Sequence, residues 1–133
     1  MDTAPWGEHV ATADHAAVPQ VVFTDPEVAS IGRTAAQARE AGLHARVIDL
    51  PIAVAGSTIL AENYDGAVRM VVDEDRGVVV GLTFVGQDTA ELLHAATIAV
   101  VGEVPLHRLW HAVPAYPTLS EVWLRLLEAY RSG

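Results

Sequence analysis

The stretch that decides the fold is GAVRMVVDEDRGVVVGLTFVG, residues 66–86. Val68, Met70 and Val72 alternate with Arg69, the period of a strand whose successive side chains point to opposite faces. DEDRG, residues 73–77, has the composition of a turn. Val78, Val80, Leu82 and Phe84 then answer on a return strand. The intervening positions 79, 81, 83 and 85 are Val, Gly, Thr and Val, so this strand is apolar on both faces. A strand of that kind belongs in the middle of its sheet.

Outward from the hairpin, residues 18–32 (VPQVVFTDPEVASIG) open with a short β-rich run over 20–24, closed by the turn-prone pair Asp25-Pro26. Thr34 and Gln37 have capping-box spacing and start a helix that stops at Gly42. Residues 44–51 (HARVIDLP) read as a strand, with Val47 and Asp49 on one face and Arg46, Ile48 and Leu50 on the other. Residues 52–65 (IAVAGSTILAENYD) keep no clear period and are expected to form a long excursion. Asp88 and Glu91 are placed to cap a helix over 88–102 that ends at Gly102. Its apolar content leaves little polar surface, so burial nearly all round is expected.

Residues 104–111 read as a short helical piece. A last helix, from 118 to about 130, carries Val122, Trp123, Leu126, Leu127 and Tyr130 on one stripe. Residues 1–17 show no period and read as a tail or linker, which leaves 18–133 as the domain. The order β-α-β, hairpin, helices gives an α+β fold: an antiparallel β-sheet flanked by helices, not a doubly wound parallel sheet.

The chain of 133 residues is 51% hydrophobic and 19% charged, which suits one globular domain with a real core. Its net charge is −9, from 17 acidic and 8 basic residues, and no run of Lys or Arg could track a phosphate backbone. Nucleic acid is therefore not an expected partner. No apolar stretch approaches a membrane span, and the first twenty residues lack the apolar core of a signal peptide. Cysteine is absent, which excludes thiolate metal sites and dithiol redox chemistry from anything this chain does alone. The same absence accords with a reducing, cytoplasmic location.

His107 and His111 have a spacing that could place two imidazoles on one metal, but no third ligand lies nearby and no metal site is expected. Ser120 lacks the G-x-S-x-G setting of a hydrolase nucleophile. No G-x-G-x-x-G and no P-loop is present, so the chain has no recognisable phosphate cradle. The remaining candidate is AYPTLSE, residues 115–121. Thr118 and Glu121 have the spacing of a capping box, and Pro117 holds Tyr116 out of the helical region. On these residues alone, Glu121 is either a cap or the partner of the side chain at 116.

Three segments carry a resemblance: 18–38 (VPQVVFTDPEVASIGRTAAQA), 65–100 (DGAVRMVVDEDRGVVVGLTFVGQDTAELLHAATIAV) and 116–121 (YPTLSE). In order and in register, they resemble the C-terminal dimerisation domain of the FAD-dependent pyridine nucleotide–disulfide oxidoreductases, the family of dihydrolipoamide dehydrogenase, glutathione reductase and mercuric reductase. The resemblance covers residues 18 to about 130. It implies an antiparallel sheet flanked by helices, made to pair with its twin in a homodimer that buries parts of the final helices. It also implies that the FAD and NAD(P)H sites, with the redox-active cysteine pair, belong to upstream domains. The chain is then one domain of a larger enzyme, with Met1 an artificial or truncated start, and has no cofactor or oxidoreductase activity by itself.

In most of the family the closing motif is His-Pro-Thr followed by Ser-Glu. The His reaches the partner's active site as acid–base, and the Glu orients it. The resemblance thus implies Tyr116 and Glu121 as active-site residues, Pro117 as a cofactor contact, and a cis bond between Tyr116 and Pro117. Tyr116 stands where the His would be. A phenol titrates at about 10, so at neutral pH it is a donor rather than a base, and dithiol chemistry through this position is in doubt. Mercuric reductases also carry Tyr here, but their C-terminus bears a Cys pair, whereas this chain ends LEAYRSG. A mercuric-reductase-like parent is therefore the alternative, as is an interaction module with no catalytic part. The preferred parent is a flavoprotein whose electron acceptor is not a small disulfide.

Overall fold

A computed structural model describes residues 17–60 and 63–133. Strands β1 (Gln20–Val22), β2 (Val28–Gly32), β3 (Ala45–Pro51), β4 (Ala67–Asp73) and β5 (Val78–Val85) form one antiparallel sheet in the order β1-β2-β5-β4-β3. β5 is central, as its two apolar faces require. The tail expected over 1–17 lies outside the described residues except for Ala17, which is buried against the core.

The β4–β5 turn is built by Asp73. Its carboxylate, 2% exposed, accepts the N–H groups of Asp75 at 3.1 Å and Arg76 at 3.4 Å. Gly77 closes the turn by donating to Asp73 O at 2.8 Å, at a φ of +65° that a side chain would resist.

The hairpin departs from simple alternation at one point. Val71 faces Gly81 but Val72 faces Val79, so Val80 is an extra residue on β5. This bulge reverses which side chains share a face. Val78 and Val80 therefore do not join Leu82 and Phe84. They pack with Val71 and Ala38 on one side of the sheet, while Val79, Leu82 and Phe84 join Met70 and Val72 on the other.

Helix α1 (Ala35–Glu40) covers the first side; its expected Thr34/Gln37 capping box forms, and Gly42 follows with φ +81°. The other side carries the main core. There α3 (Leu93–Val101), α4 (Leu106–Leu109) and α5 (Val122–Ser132) bring Leu93, Ala96, Leu106, Val122, Leu126 and Leu127 onto Ile31, Met70, Leu82 and Phe84. The excursion after β3 contains one more short helix, α2 (Ala55–Leu60).

Three further sequence expectations change. The run expected over 20–24 ends at Val22, and Val28–Gly32 forms a further strand whose alternate residues Ala29 and Ile31 are buried at 0% and 2% exposure. Asp88 does not cap a helix: it has φ 61° and makes no capping hydrogen bond. A 3₁₀ turn, Thr89–Leu92, follows it, held by Thr89 Oγ1 donating to Gly86 O at 2.9 Å. Helix α3 is not buried all round. Leu93, Ala96 and Ala99 face the sheet, but Ile98 and Val101 are 55% and 53% exposed. No helix among the described residues is long and apolar enough to cross a membrane.

Candidate functional site

The closing motif lies between α4 and α5. A 3₁₀ turn, Leu119–Glu121, precedes α5, with Thr118 and Glu121 in capping-box register and the Glu121 N–H donating to Thr118 O at 3.3 Å. Glu121 Oε2 accepts the Thr118 N–H at 2.9 Å. The Thr118 hydroxyl donates to Ala115 O and tightens the loop ahead of it. The Tyr116–Pro117 bond is cis, as is Asp25–Pro26.

The structure does not join Tyr116 to Glu121. Tyr116 is 78% exposed and has no hydrogen bond among the described residues. Pro117 is exposed beside it. Glu121 is half-buried and faces the backbone instead: the oxygen that receives Thr118 N–H also receives Gly56 N–H, at 3.2 Å. Gly56 was not legible as a site residue. It sits in the stretch without periodicity, 65 positions from its partner, and only the fold brings the two together.

Two clefts flank the motif. One, of about 340 Å³, lies between Gly56, Leu60, Asp88, Glu91 and Thr118 to Ser120. Beyond it, burial and the carboxylates of Asp88 and Glu27 push the Tyr64 phenol above its ordinary range, and its hydroxyl donates to Gln87 O at 2.6 Å. The other, of about 380 Å³, is almost wholly apolar, lined by Ile98, Val104, Leu109, Pro114 and Trp123 with Ser120 at its edge. It continues the exposed face of α3 onto the flank of the Tyr116 loop. A larger cleft, of about 710 Å³, lies on the α1 side of the sheet around the Asp49–Arg69 pair and has no part in the motif. His107 and His111 are exposed, and no group of three possible metal ligands occurs among the described residues.

Residues 18–127 match the family described as pyridine nucleotide-disulphide oxidoreductase, dimerisation domain. The chain belongs to that family. The dimerisation domain is 36% identical over 125 residues to dihydrolipoyl dehydrogenase of Haloferax volcanii, covering 91% of this chain and 26% of that protein. It is 30% identical over 118 residues to dihydrolipoyl dehydrogenase of Bacillus subtilis, covering 89% of this chain and 25% of that one. Among solved structures, LpdA from Mycobacterium tuberculosis superposes with a TM-score of 0.77 at 28% identity, over 92% of this chain and 26% of LpdA. The HOCl-induced flavoprotein disulfide reductase RclA from Escherichia coli shares the fold, with a TM-score of 0.77 at 24% identity over 86% of this chain and 26% of RclA. The chain thus spans about a quarter of the length of the relatives it matches.

Proposed function

We propose that this dimerisation domain forms the homodimer interface of a flavin-dependent NAD(P)H oxidoreductase and presents Tyr116 and Glu121 to the partner subunit's active site, with Pro117 beside the cofactor. One observation carries the reading. The apolar cleft that takes in Ile98 on α3 also takes in Pro114, two residues before Tyr116, which is 78% exposed and makes no hydrogen bond among the described residues. A second copy laid on the exposed face of α3 would both cover Ile98 and Val101 and receive the loop.

The dinucleotides do not fit this chain's own residues. Its sheet is antiparallel, and the Gly-rich turn from strand to helix that cradles a pyrophosphate is missing from the sequence. The FAD and NAD(P)H sites are accordingly assigned to the rest of a longer, cytoplasmic protein. In that site a phenol at position 116 offers a hydrogen bond to an acceptor rather than a base for a thiol. The test is Tyr116→Phe in the full-length flavoprotein. NAD(P)H-dependent turnover should fall with flavin content unchanged; turnover equal to the parent removes the donor role.

A further inference from the structure

We propose that Gly56 is a positioning residue for the closing loop and that Glu121 works with it as a backbone acceptor, so that α2, and not a charge aimed at residue 116, fixes where Tyr116 stands. The proposal rests on the reading that this loop serves the partner's active site.

Glu121 Oε2 gathers two N–H donors from distant parts of the chain, Thr118 at 2.9 Å and Gly56 at 3.2 Å. The closing loop is thereby tied to the first turn of α2. The tie also depends on bare backbone. A Cβ on Gly56 would lie 2.0 Å from the carbonyl carbon of Thr118 and 2.3 Å from its oxygen, and backbone atoms cannot rotate aside. Hydrogen bond and close approach therefore demand the same placement of α2.

That turn is itself held firmly. Ser57, 3% exposed, donates its hydroxyl to Val54 O at 2.7 Å and accepts Val54 N–H at 3.1 Å. Tyr116, two residues before Thr118, is 78% exposed and makes no hydrogen bond among the described residues. Its location follows from what holds Thr118.

Charge and acceptor roles can be separated because an amide oxygen also has two lone pairs and can receive both N–H groups. In the full-length flavoprotein, amide hydrogen exchange is followed in peptides spanning residues 112–121 for Glu121→Gln, Glu121→Ala and Gly56→Ala. Glu121→Gln should stay within about twofold of the parent, while Glu121→Ala and Gly56→Ala should exchange at least about tenfold faster. With an acceptor for which Tyr116→Ala costs turnover, Glu121→Gln should exceed Glu121→Ala by about fivefold or more.

Exchange in Glu121→Gln as fast as in Glu121→Ala would overturn the proposal, since charge would then be the working property. So would parent-like exchange in Gly56→Ala. If Gly56→Ala does not fold, the Gln and Ala comparison at 121 decides alone. Failure of the underlying reading shows elsewhere: turnover indifferent to Tyr116→Ala with every acceptor removes the active-site role, while the exchange comparison still judges the clamp.

Discussion

Ile98 and Val101, one turn apart on α3, offer the sharpest test of the dimer. They are 55% and 53% exposed, so about half of each side chain's burial is still to be gained. Full burial of an Ile or Val side chain is worth about 1.5–3 kcal/mol, which leaves roughly 1 kcal/mol for each at an interface. In a two-fold dimer every substitution is made twice. Ile98→Ala should thus remove about 2 kcal/mol, or roughly thirtyfold in the dissociation constant. Ile98→Glu adds the cost of taking two carboxylates out of water, several kcal/mol more, and should leave only monomer at micromolar concentration. Ile98 lies outside the buried core clusters and is only about half covered in the monomer, so Ile98→Ala should cost the monomer's own fold about 1 kcal/mol, less than it costs the dimer. Sedimentation velocity over a concentration series, alongside chemical denaturation, reads both quantities. The reasoning fails if Ile98→Glu dimerises like the parent, or if the parent chain remains monomeric at high concentration.

Two further expectations concern the sheet and its pH response. Asp73→Ala removes a buried acceptor from two turn N–H groups and should cost about 1.5–3 kcal/mol, measured as a lower midpoint in urea with the slope unchanged. Tyr64 has a raised folded pKa, so the stability it contributes is complete below the ordinary phenol value of 10.0 and is lost as pH climbs past it. Tyr64→Phe should therefore flatten the loss of stability above pH 10.0, while costing its hydrogen bond to Gln87 at neutral pH. An alkaline denaturation profile unchanged by the substitution would show that the phenol is not what the folded state holds protonated.

The sequence by itself determined the antiparallel sheet, the central place of β5 and the start of α1, because these rest on local periodicity and local capping. Alternation of Val68, Met70 and Val72 with Arg69 marks one strand, the run Val78–Val85 apolar on both faces marks its partner as central, and Thr34/Gln37 satisfy each other within one turn. The family resemblance located the closing motif and its odd tyrosine. Other features depended on partners that no local pattern names. The bulge at Val80 reassigned a whole face of β5, since one inserted residue reverses a period of two. The apolar helix α3 was half uncovered because one sheet face has room for only one side of it. Above all, the sequence left open whether Glu121 caps a helix or orients residue 116. The tertiary structure added a contact that no local pattern names: Gly56, brought from across the chain, donates to the same Glu121 oxygen that receives the Thr118 N–H, while Tyr116 in front of Pro117 stands 78% exposed, because a backbone donor 65 positions away leaves no trace in local spacing.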